Sequence, residues 1–136
     1  MIEFVVDSSV WIDFFNKRTS PQIEIVKHLI IIEPVKTSIT LLPIILQEVL
    51  QGIQNNKHYE LVKENLKGFN QIAYDAYTSA IHAADLFRYL QKKGITIRKS
   101  NDCLIASLCI DNDLSLLHND RDFDNIAKYT SLKIYK

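Results

Sequence analysis

Short β-rich runs alternate with longer helical segments along this chain of 136 residues, and that alternation limits the folds open to it. The runs that we predict as strands cover residues 2–6, 33–38, 114–117 and 132–135, with a further candidate at 69–73. Strands that are separated by helices pair in parallel, because each crossover returns the chain to the same end of the sheet. The pattern predicts an α/β fold with a central, mostly parallel sheet.

Helical periodicity and capping signals predict the segments between these strands. In residues 40–53, apolar side chains recur at i, i+3, i+4, i+7 and i+8, which is typical of a helix with one face on the core. Ser20 and Pro21 suit the cap and first turn of another helix, and Gly94 follows the last turn of a long one. The predicted helices cover residues 8–15, 20–31, 40–53, 56–68, 74–93, 101–112 and 120–129.

Composition favours a single domain over residues 1–136. The apolar fraction is 47%, enough for a hydrophobic core, and three glycines and three prolines leave no linker-like stretch. Lys and Arg together number 16, as do Asp and Glu, so net charge provides no general attraction to nucleic acid. Any contact with nucleic acid must therefore rest on a local basic patch.

The chain carries no pattern typical of secretion or membrane insertion. Its first six residues lack a basic region and are too short for a signal-peptide core, and no run approaches the roughly 18 apolar residues of a membrane span. Cys103 and Cys109 lack the paired spacing of zinc ligands, so we expect two reduced core thiols. These features predict a cytoplasmic protein.

Four acidic residues stand where the predicted fold could bring carboxylates together. Asp7 directly follows the first strand, and Asp120 follows the run 114–117 after two intervening residues. In an open parallel sheet, ligands bind outside the carboxyl ends of the strands, so both acids belong at that edge. Asp102 opens a helix and Glu48 lies within one, and each could project a carboxylate toward the same edge.

A meeting of several carboxylates requires a compensating positive charge. Two unit charges about 4 Å apart repel by about 4 kcal/mol at an effective dielectric constant near 20, so such a cluster takes up protons or binds a cation. Oxygen ligands suit Mg²⁺ or Mn²⁺, and the sequence shows no Cys/His cluster for zinc. Because such a metal activates water and neutralises a phosphodiester, a convergent set of acids predicts phosphodiester hydrolysis.

Each acid also has a purely structural interpretation. Asp7 could cap the first helix, Asp120 or Asp122 could cap the last one, and Asp102 could interact with the N-terminal dipole of its own helix. Glu48 gains nothing from capping, but a surface glutamate with a buried apolar stem explains it equally well. Taken one at a time, these residues leave the choice open.

Four short motifs, in this order and spacing, resemble the PIN domain, and most closely the VapC-like toxin ribonucleases of prokaryotic toxin-antitoxin modules. The motifs are VVDSSVWIDFF, EVLQG, RKSNDCLIASLCIDN and LLHNDRDFDNI, and the resemblance runs from Asp7 to Phe123. Each motif is short, and it is their combination with the domain length that is specific. The resemblance implies an α/β/α sandwich and a Mg²⁺- or Mn²⁺-dependent endoribonuclease that uses a metal-activated water.

The resemblance also implies roles for individual residues. The four metal-binding and catalytic acids of the family fall on Asp7, Glu48, Asp102 and Asp120. Ser9 matches a small hydroxyl residue that supports the first acid, and Asp122 matches a further acid near the metal in some members. We therefore expect Asp122 at the outer edge of the site.

One residue departs from the family pattern. Where Thr or Ser commonly stands two residues before the fourth acid, this chain has His118. The histidine could hydrogen-bond the same neighbour, contact a phosphate when protonated, or only fill space. The substitution bears on the geometry of the fourth acid more than on the fold.

Basic residues near the predicted site are candidates for contacts with the RNA backbone. Arg98 and Lys99 precede Asp102, and Arg121 follows Asp120 directly. The basic pair at positions 92 and 93 equally suits a helix C-terminus, where cations interact favourably with the dipole.

The resemblance further implies two protein partners, a cognate antitoxin that covers an apolar groove and a second copy of the chain in a homodimer. Leu41 and Ile44 add apolar side chains outside the core stripe of helix 40–53, which fits a covered surface. Two alternatives stay open: a PIN-type nuclease for RNA maturation or quality control, and a non-catalytic PIN-like scaffold. The near-zero net charge and His118 leave the scaffold open, whereas four acids favour a nuclease.

Overall fold

The centre of the fold is a parallel sheet, seen in a computed structural model that describes residues 2–31 and 37–135. Over those residues the sheet has four strands in the order β2-β1-β3-β4. All of its pairings are parallel, as the alternating pattern predicts. The strands are β1 (Ile2–Val6), β2 (Thr37–Thr40), β3 (Ser115–Leu117) and β4 (Lys133–Ile134).

Helices connect one strand to the next, flank the sheet and complete the three-layer α/β/α sandwich expected from the sequence. In the described ranges, none of them has both the length and the apolar character needed to cross a membrane. Ser20 Oγ accepts the backbone N–H of Ile23 at 3.1 Å, so the predicted cap is formed. The helices are α1 (Ser8–Phe15), α2 (Pro21–Ile31), α3 (Pro43–Gln51), α4 (Asn56–Leu66), α5 (Ala76–Lys92), α6 (Ser100–Asp111) and α7 (Arg121–Tyr129).

Two of the predicted strands are not matched over their full length by strands among the described residues. The segment 69–73 is not a strand; it contributes a single bridge, between Asn70 and Thr40. At this bridge the backbone N–H of Asn70 donates to the carbonyl of Ile39 at 3.1 Å, and its carbonyl accepts the N–H of Leu41 at 2.8 Å. In the predicted strand 33–38, residues 33–36 lie outside the described ranges, and the last two residues belong to β2.

The start of α3 differs from the prediction of a helix over residues 40–53. Thr40 belongs to β2, and the helix begins at Pro43, whose fixed φ angle suits the first helical position. Leu41 therefore lies before the helix and is only 5% exposed. The expectation that Leu41 forms part of an apolar surface available to a partner is wrong, because this side chain belongs to the hydrophobic core.

Helix α6 runs through the interior and contacts α5, α7 and β3. A helix that is buried on most sides must be apolar on most sides, and α6 includes both cysteines among its buried residues. The thiols are buried and unpaired, as predicted, and burial raises the pKa of Cys103 to about 11 and that of Cys109 to about 12. They act as small apolar groups, which makes the buried carboxyl of Asp102 in the same helix exceptional.

We predict that Leu108→Ala in α6 destabilises the protein by about 2–5 kcal/mol, because it leaves a cavity around a side chain that is 0% exposed. The matched control is Leu61→Ala in α4, where the leucine is 58% exposed and the cost should stay within about 0.5 kcal/mol. Urea unfolding monitored by circular dichroism measures both. Equal costs for the two variants would contradict the buried position of α6.

Candidate metal centre

The carboxyl ends of β1 and β3 bring two acids to one edge of the sheet. The register pairs Val6 with Leu117, and the N–H of Asp7 donates to the carbonyl of Leu117 at 2.9 Å. From this level the chain turns into α1 after β1 and into α7 after β3. Asp7 is the N-cap of α1 and Asp120 is the N-cap of α7. Parallel pairing thus places both caps outside the strand ends, where ligands bind in such sheets.

Asp7 is buried, with 4% exposure, and Ser9 holds one of its oxygens. The backbone N–H and the hydroxyl of Ser9 donate to Asp7 Oδ2 at 3.2 and 2.7 Å. The capping interpretation of Asp7 is therefore correct. A carboxylate has two oxygens, each with more than one acceptor site, so the cap does not exhaust what this side chain can bind.

Three carboxylates form the tightest acidic cluster among the described residues. One oxygen from each of Asp102, Asp120 and Asp122 lies within 4.8 Å of the other two. Oxygen ligands at 2.0–2.6 Å from a divalent cation are separated by up to about 4–5 Å across the ion, so this spacing suits a shared cation. Asp102 and Asp122 are buried and Asp120 is half-buried, which limits screening by water.

Two buried carboxylate oxygens within the described residues lack a hydrogen-bond partner, Asp102 Oδ2 and Glu48 Oε1. A buried polar atom without a partner is costly, and a bound ion is one of the arrangements that explain it. The pKa of Asp102 is raised to about 7, first by burial and then by the negative charges of Asp7, Asp120 and Glu48. These acids therefore share one electrostatic neighbourhood, and the donor set fits a hard divalent cation.

Two basic side chains neutralise part of this charge. Arg98 Nε donates to Asp122 Oδ2 at 3.2 Å, and its Nη2 lies 3.6 Å from Asp120 Oδ1. Lys99 Nζ lies 3.7 Å from Asp120 Oδ2. Both side chains are more than 60% exposed, so these pairs are screened and contribute little to stability. Because both side chains contact the acids and also face solvent, they can contact an anionic ligand from the same position.

His118 is buried, with 7% exposure, and contacts the backbone of the fourth acid. The N–H of Asp120 donates to His118 Nδ1 at 3.0 Å. The sequence left three roles open for His118, and this contact corresponds to the first of them, a hydrogen bond to a neighbouring residue.

The other basic residues are spread more widely. Arg121 is exposed in the first turn of α7, close in sequence to Asp120. Lys93 Nζ lies 5.6 Å from the ring centroid of Tyr89, a cation–π contact at the end of α5. The local basic patch beside the acids is therefore built by Arg98 and Lys99.

Asp122 belongs to the cluster of three carboxylates itself, whereas the sequence led us to expect it at the outer edge of the site. Its backbone N–H donates to Asp120 Oδ1 at 3.0 Å, and this turn at the start of α7 brings the two side chains together. The available signal was the spacing of two residues at a helix start, where the cap and the second helical residue are adjacent. The same spacing is common in helices without a ligand, so the sequence could not separate the two cases.

A groove of about 380 Å³ lies along α1 and α3. Apolar side chains from both helices line it, and polar residues close it at the start of α4. The apolar lining consists of Ile12, Phe15, Val49 and Ile53, and the polar lining includes Asn16, Asn55 and His58. This surface differs from the acidic edge in having no carboxylate in its lining.

Comparison with known proteins agrees with this fold. Residues 4–129 match the PIN domain family. Ribonuclease VapC11 from Mycobacterium tuberculosis is 30% identical over 129 residues, which cover 95% of each chain. The class of protein to which this chain belongs is thus the PIN domain.

Solved structures show the same fold. VapBC2 from Rickettsia felis, bound to a DNA fragment from its promoter, aligns with a TM-score of 0.77 at 19% identity and covers 98% of both chains. VapBC-5 from Mycobacterium tuberculosis, a member of the VapBC family of toxin-antitoxin systems, aligns with a TM-score of 0.67 at 17% identity and covers 100% of this chain and 99% of that one. The chain therefore belongs to the PIN domain family and, within it, to the VapC ribonucleases.

The raised pKa of Asp102 predicts a pH-dependent cost to stability in metal-free buffer. The pKa is about 7 in the folded protein against an ordinary 3.8, so the folded state binds the extra proton between these values. Stability therefore falls as pH rises from about 4 to about 7, and the full cost, on the order of 4 kcal/mol, persists above that window. Asp102→Asn removes the charge, so its stability advantage over wild type should grow across the window and then stay constant.

Chemical denaturation at pH 4, 5.5, 7 and 8.5 in the presence of a chelator measures this advantage. The control is Leu61→Ala on α4, which changes no titratable group and should therefore give the same difference at each pH. A pH-independent difference for Asp102→Asn would show that its carboxyl has the same pKa in the folded and unfolded states, and would contradict the raised value.

Proposed function

We propose that this protein is a cytoplasmic, divalent-cation-dependent endoribonuclease and the toxin component of a toxin-antitoxin module. The cation is Mg²⁺ or Mn²⁺, because the donor set consists of carboxylate oxygens. The observation that carries the proposal is the cluster of three carboxylates within 4.8 Å, beside two buried oxygens that lack partners. The proposed catalytic and metal-binding residues are Asp7, Glu48, Asp102 and Asp120, with Asp122 as a fifth acid and Ser9 in support.

Two of these acids are held by hydrogen bonds before any ligand binds. The two Ser9 donors fix Asp7 Oδ2, and the Asp122 N–H fixes Asp120 Oδ1. Asp102 is carried on a buried helix and must lose its proton to act as a ligand. When bound, the cation supplies activation of water and neutralisation of phosphodiester charge. Preorganised carboxylates avoid the cost of collecting like charges during the reaction.

Arg98 and Lys99 are proposed to hold the RNA backbone next to the acids, with Arg121 at the flank. Arg98 and Lys99 reach the carboxylates with their charged ends while most of each side chain stays in solvent. The same reach allows each of them to contact a phosphate placed over the acidic cluster. A patch of this kind provides local attraction to RNA although the net charge of the chain is zero.

A cleavage assay on total RNA tests the proposed activity. Wild type should cleave RNA with added Mn²⁺ or Mg²⁺ and lose cleavage in EDTA. Asp7→Asn and Asp120→Asn should each reduce the rate by at least about 100-fold, because each removes a charge from the ligand set. Asparagine caps helices as well as aspartate does, so these variants should keep the fold.

The matched control for that assay is Asp75→Asn. Asp75 is also an N-cap aspartate, accepting the N–H of Tyr77 at 3.0 Å at the start of α5. It should keep wild-type activity, which separates loss of the metal site from loss of a cap. Cleavage that survives both EDTA and Asp7→Asn would refute the metal-dependent mechanism.

The protein partners in this proposal are a cognate antitoxin and a second copy of the chain. The groove between α1 and α3 offers an apolar lining along the C-terminal half of the helix that Asp7 caps. An amphipathic segment of an antitoxin could bury its apolar face there. Tyr77 and Ile81 of α5 are 85% and 60% exposed and share one helix face, so α5 is our candidate for the homodimer contact.

Replacing an exposed groove residue should separate partner binding from catalysis. Ile12→Asp places a charge in the apolar groove, at a side chain that is 36% exposed. We expect it to lose co-purification with the product of the neighbouring reading frame in the native operon while keeping metal-dependent RNA cleavage. Leu61→Asp on α4, at a leucine outside the groove lining, should retain both. Retention of the partner by Ile12→Asp would place the antitoxin elsewhere.

A further inference from the structure

We infer that His118 is a positioning residue for the metal site, in which the imidazole sets the orientation of Asp120 through a hydrogen bond to its backbone. The inference rests on the proposed function, since it concerns one ligand of the proposed cation. It gives the departure of this chain from the usual Thr or Ser a defined physical role.

The hydrogen bond to Asp120 defines the state of the ring. A backbone N–H can only donate, so His118 Nδ1, 3.0 Å from Asp120 N, accepts with its lone pair. The ring that makes this bond is the neutral tautomer with its proton on Nε2. That proton points to Asp124 Oδ1, 3.2 Å from Nε2, so both ring nitrogens are engaged.

The surroundings of the ring prevent it from turning away. His118 is 7% exposed, and its centroid lies 5.3 Å from that of Phe123, which is fully buried. The Nε2 contact ties the ring to Asp124 in the first turn of α7. A ring that is buried and bound at both nitrogens is not available to a phosphate. His118 therefore links the end of β3 to the first turn of α7, and Asp120, the cap of that helix, lies between the two points in sequence.

The consequence falls on the carboxylate of Asp120. Its backbone N–H is held by His118, and its Oδ1 is held by the N–H of Asp122. These two bonds restrict both the backbone and the side chain, and leave Asp120 Oδ2 toward Lys99 Nζ at 3.7 Å. Fixing the orientation of a ligand in this way strengthens metal binding, and loss of such a contact typically costs 10–100-fold in affinity.

Short polar side chains can make the same bond. Ser, Thr and Asn accept the N–H of the residue two positions later in ST- and Asx-turns. His118 makes the equivalent bond with Nδ1, which stands at the same distance from Cβ as the amide group of asparagine. Glutamine instead places its amide near the level of Nε2, where it can reach Asp124 but is poorly placed for Asp120. The pair His118→Asn and His118→Gln therefore separates the two hydrogen bonds of the ring.

Mn²⁺ titration of the apo protein by calorimetry tests the inference without any measurement of activity. We expect His118→Gln to weaken Mn²⁺ binding by about 10-fold or more, and His118→Asn to restore most of the affinity. Asp124→Ala removes only the anchor of Nε2, at a side chain that is 59% exposed, and should give a smaller loss. It also keeps the test decisive if His118→Gln does not fold.

The matched control is His82→Gln. His82 Nδ1 also contacts an aspartate, Asp111 Oδ2 at 2.7 Å, but that partner is nine residues along α6 from Asp102, about 14 Å away. Its Mn²⁺ affinity should equal that of wild type. Melting temperatures of all variants, recorded without metal, separate lost packing from lost ligand orientation.

The possible outcomes are distinguishable. Wild type that fails to bind Mn²⁺ would overturn the proposed metal site, and this inference with it. Wild type that binds Mn²⁺ beside a His118→Gln variant of equal affinity would overturn the inference alone. Equal losses in His118→Asn and His118→Gln would also overturn it, because the acceptor at Nδ1 would then not be the cause.

Discussion

Repulsion among buried carboxylates is the constraint on which this structure depends. Asp102 lies in the first turn of a helix that is otherwise apolar on most sides, and burial together with neighbouring negative charge raises its pKa to about 7. Arg98 and Lys99 compensate only partly, because both side chains are more than 60% exposed and their charges are screened by solvent. An edge with unmet charge of this kind is unstable by itself, and this property is the physical basis for proposing a cation there.

The fold brings two of the acids to one edge through strand pairing and helix capping, which it needs in any case. Parallel pairing of β1 and β3 puts Asp7 and Asp120 at one edge, and each caps the helix that follows its strand. A cap uses one carboxylate oxygen, so the same side chain can take part in the site. The hydrogen bonds of Ser9 and His118 then hold these two acids from outside the cluster. Structural and functional interpretations of the caps are therefore compatible.

Much of the fold could be predicted from the amino-acid sequence. Helical periodicity and caps place most helices within two or three residues of their observed bounds, and the alternation of elements predicts the parallel sheet. The errors lie where local signals compete. Residues 69–73 have strand-like composition but make only one bridge, and Pro43 starts α3 later than its apolar pattern suggests. Pairing and chain direction decide such cases, and neither is a local property.

For the site, residue type and spacing were enough to place Asp7 and Asp120 at one edge of a parallel sheet, because both acids follow strands. The family resemblance then nominated Glu48 and Asp102 beside them. Tertiary packing alone decided the distances. It brought Asp102 beside Asp120 and Asp122, and it joined Arg98 to the last two acids. Periodicity reports which face of an element a residue occupies, whereas contacts between segments far apart in sequence arise only when those faces pack.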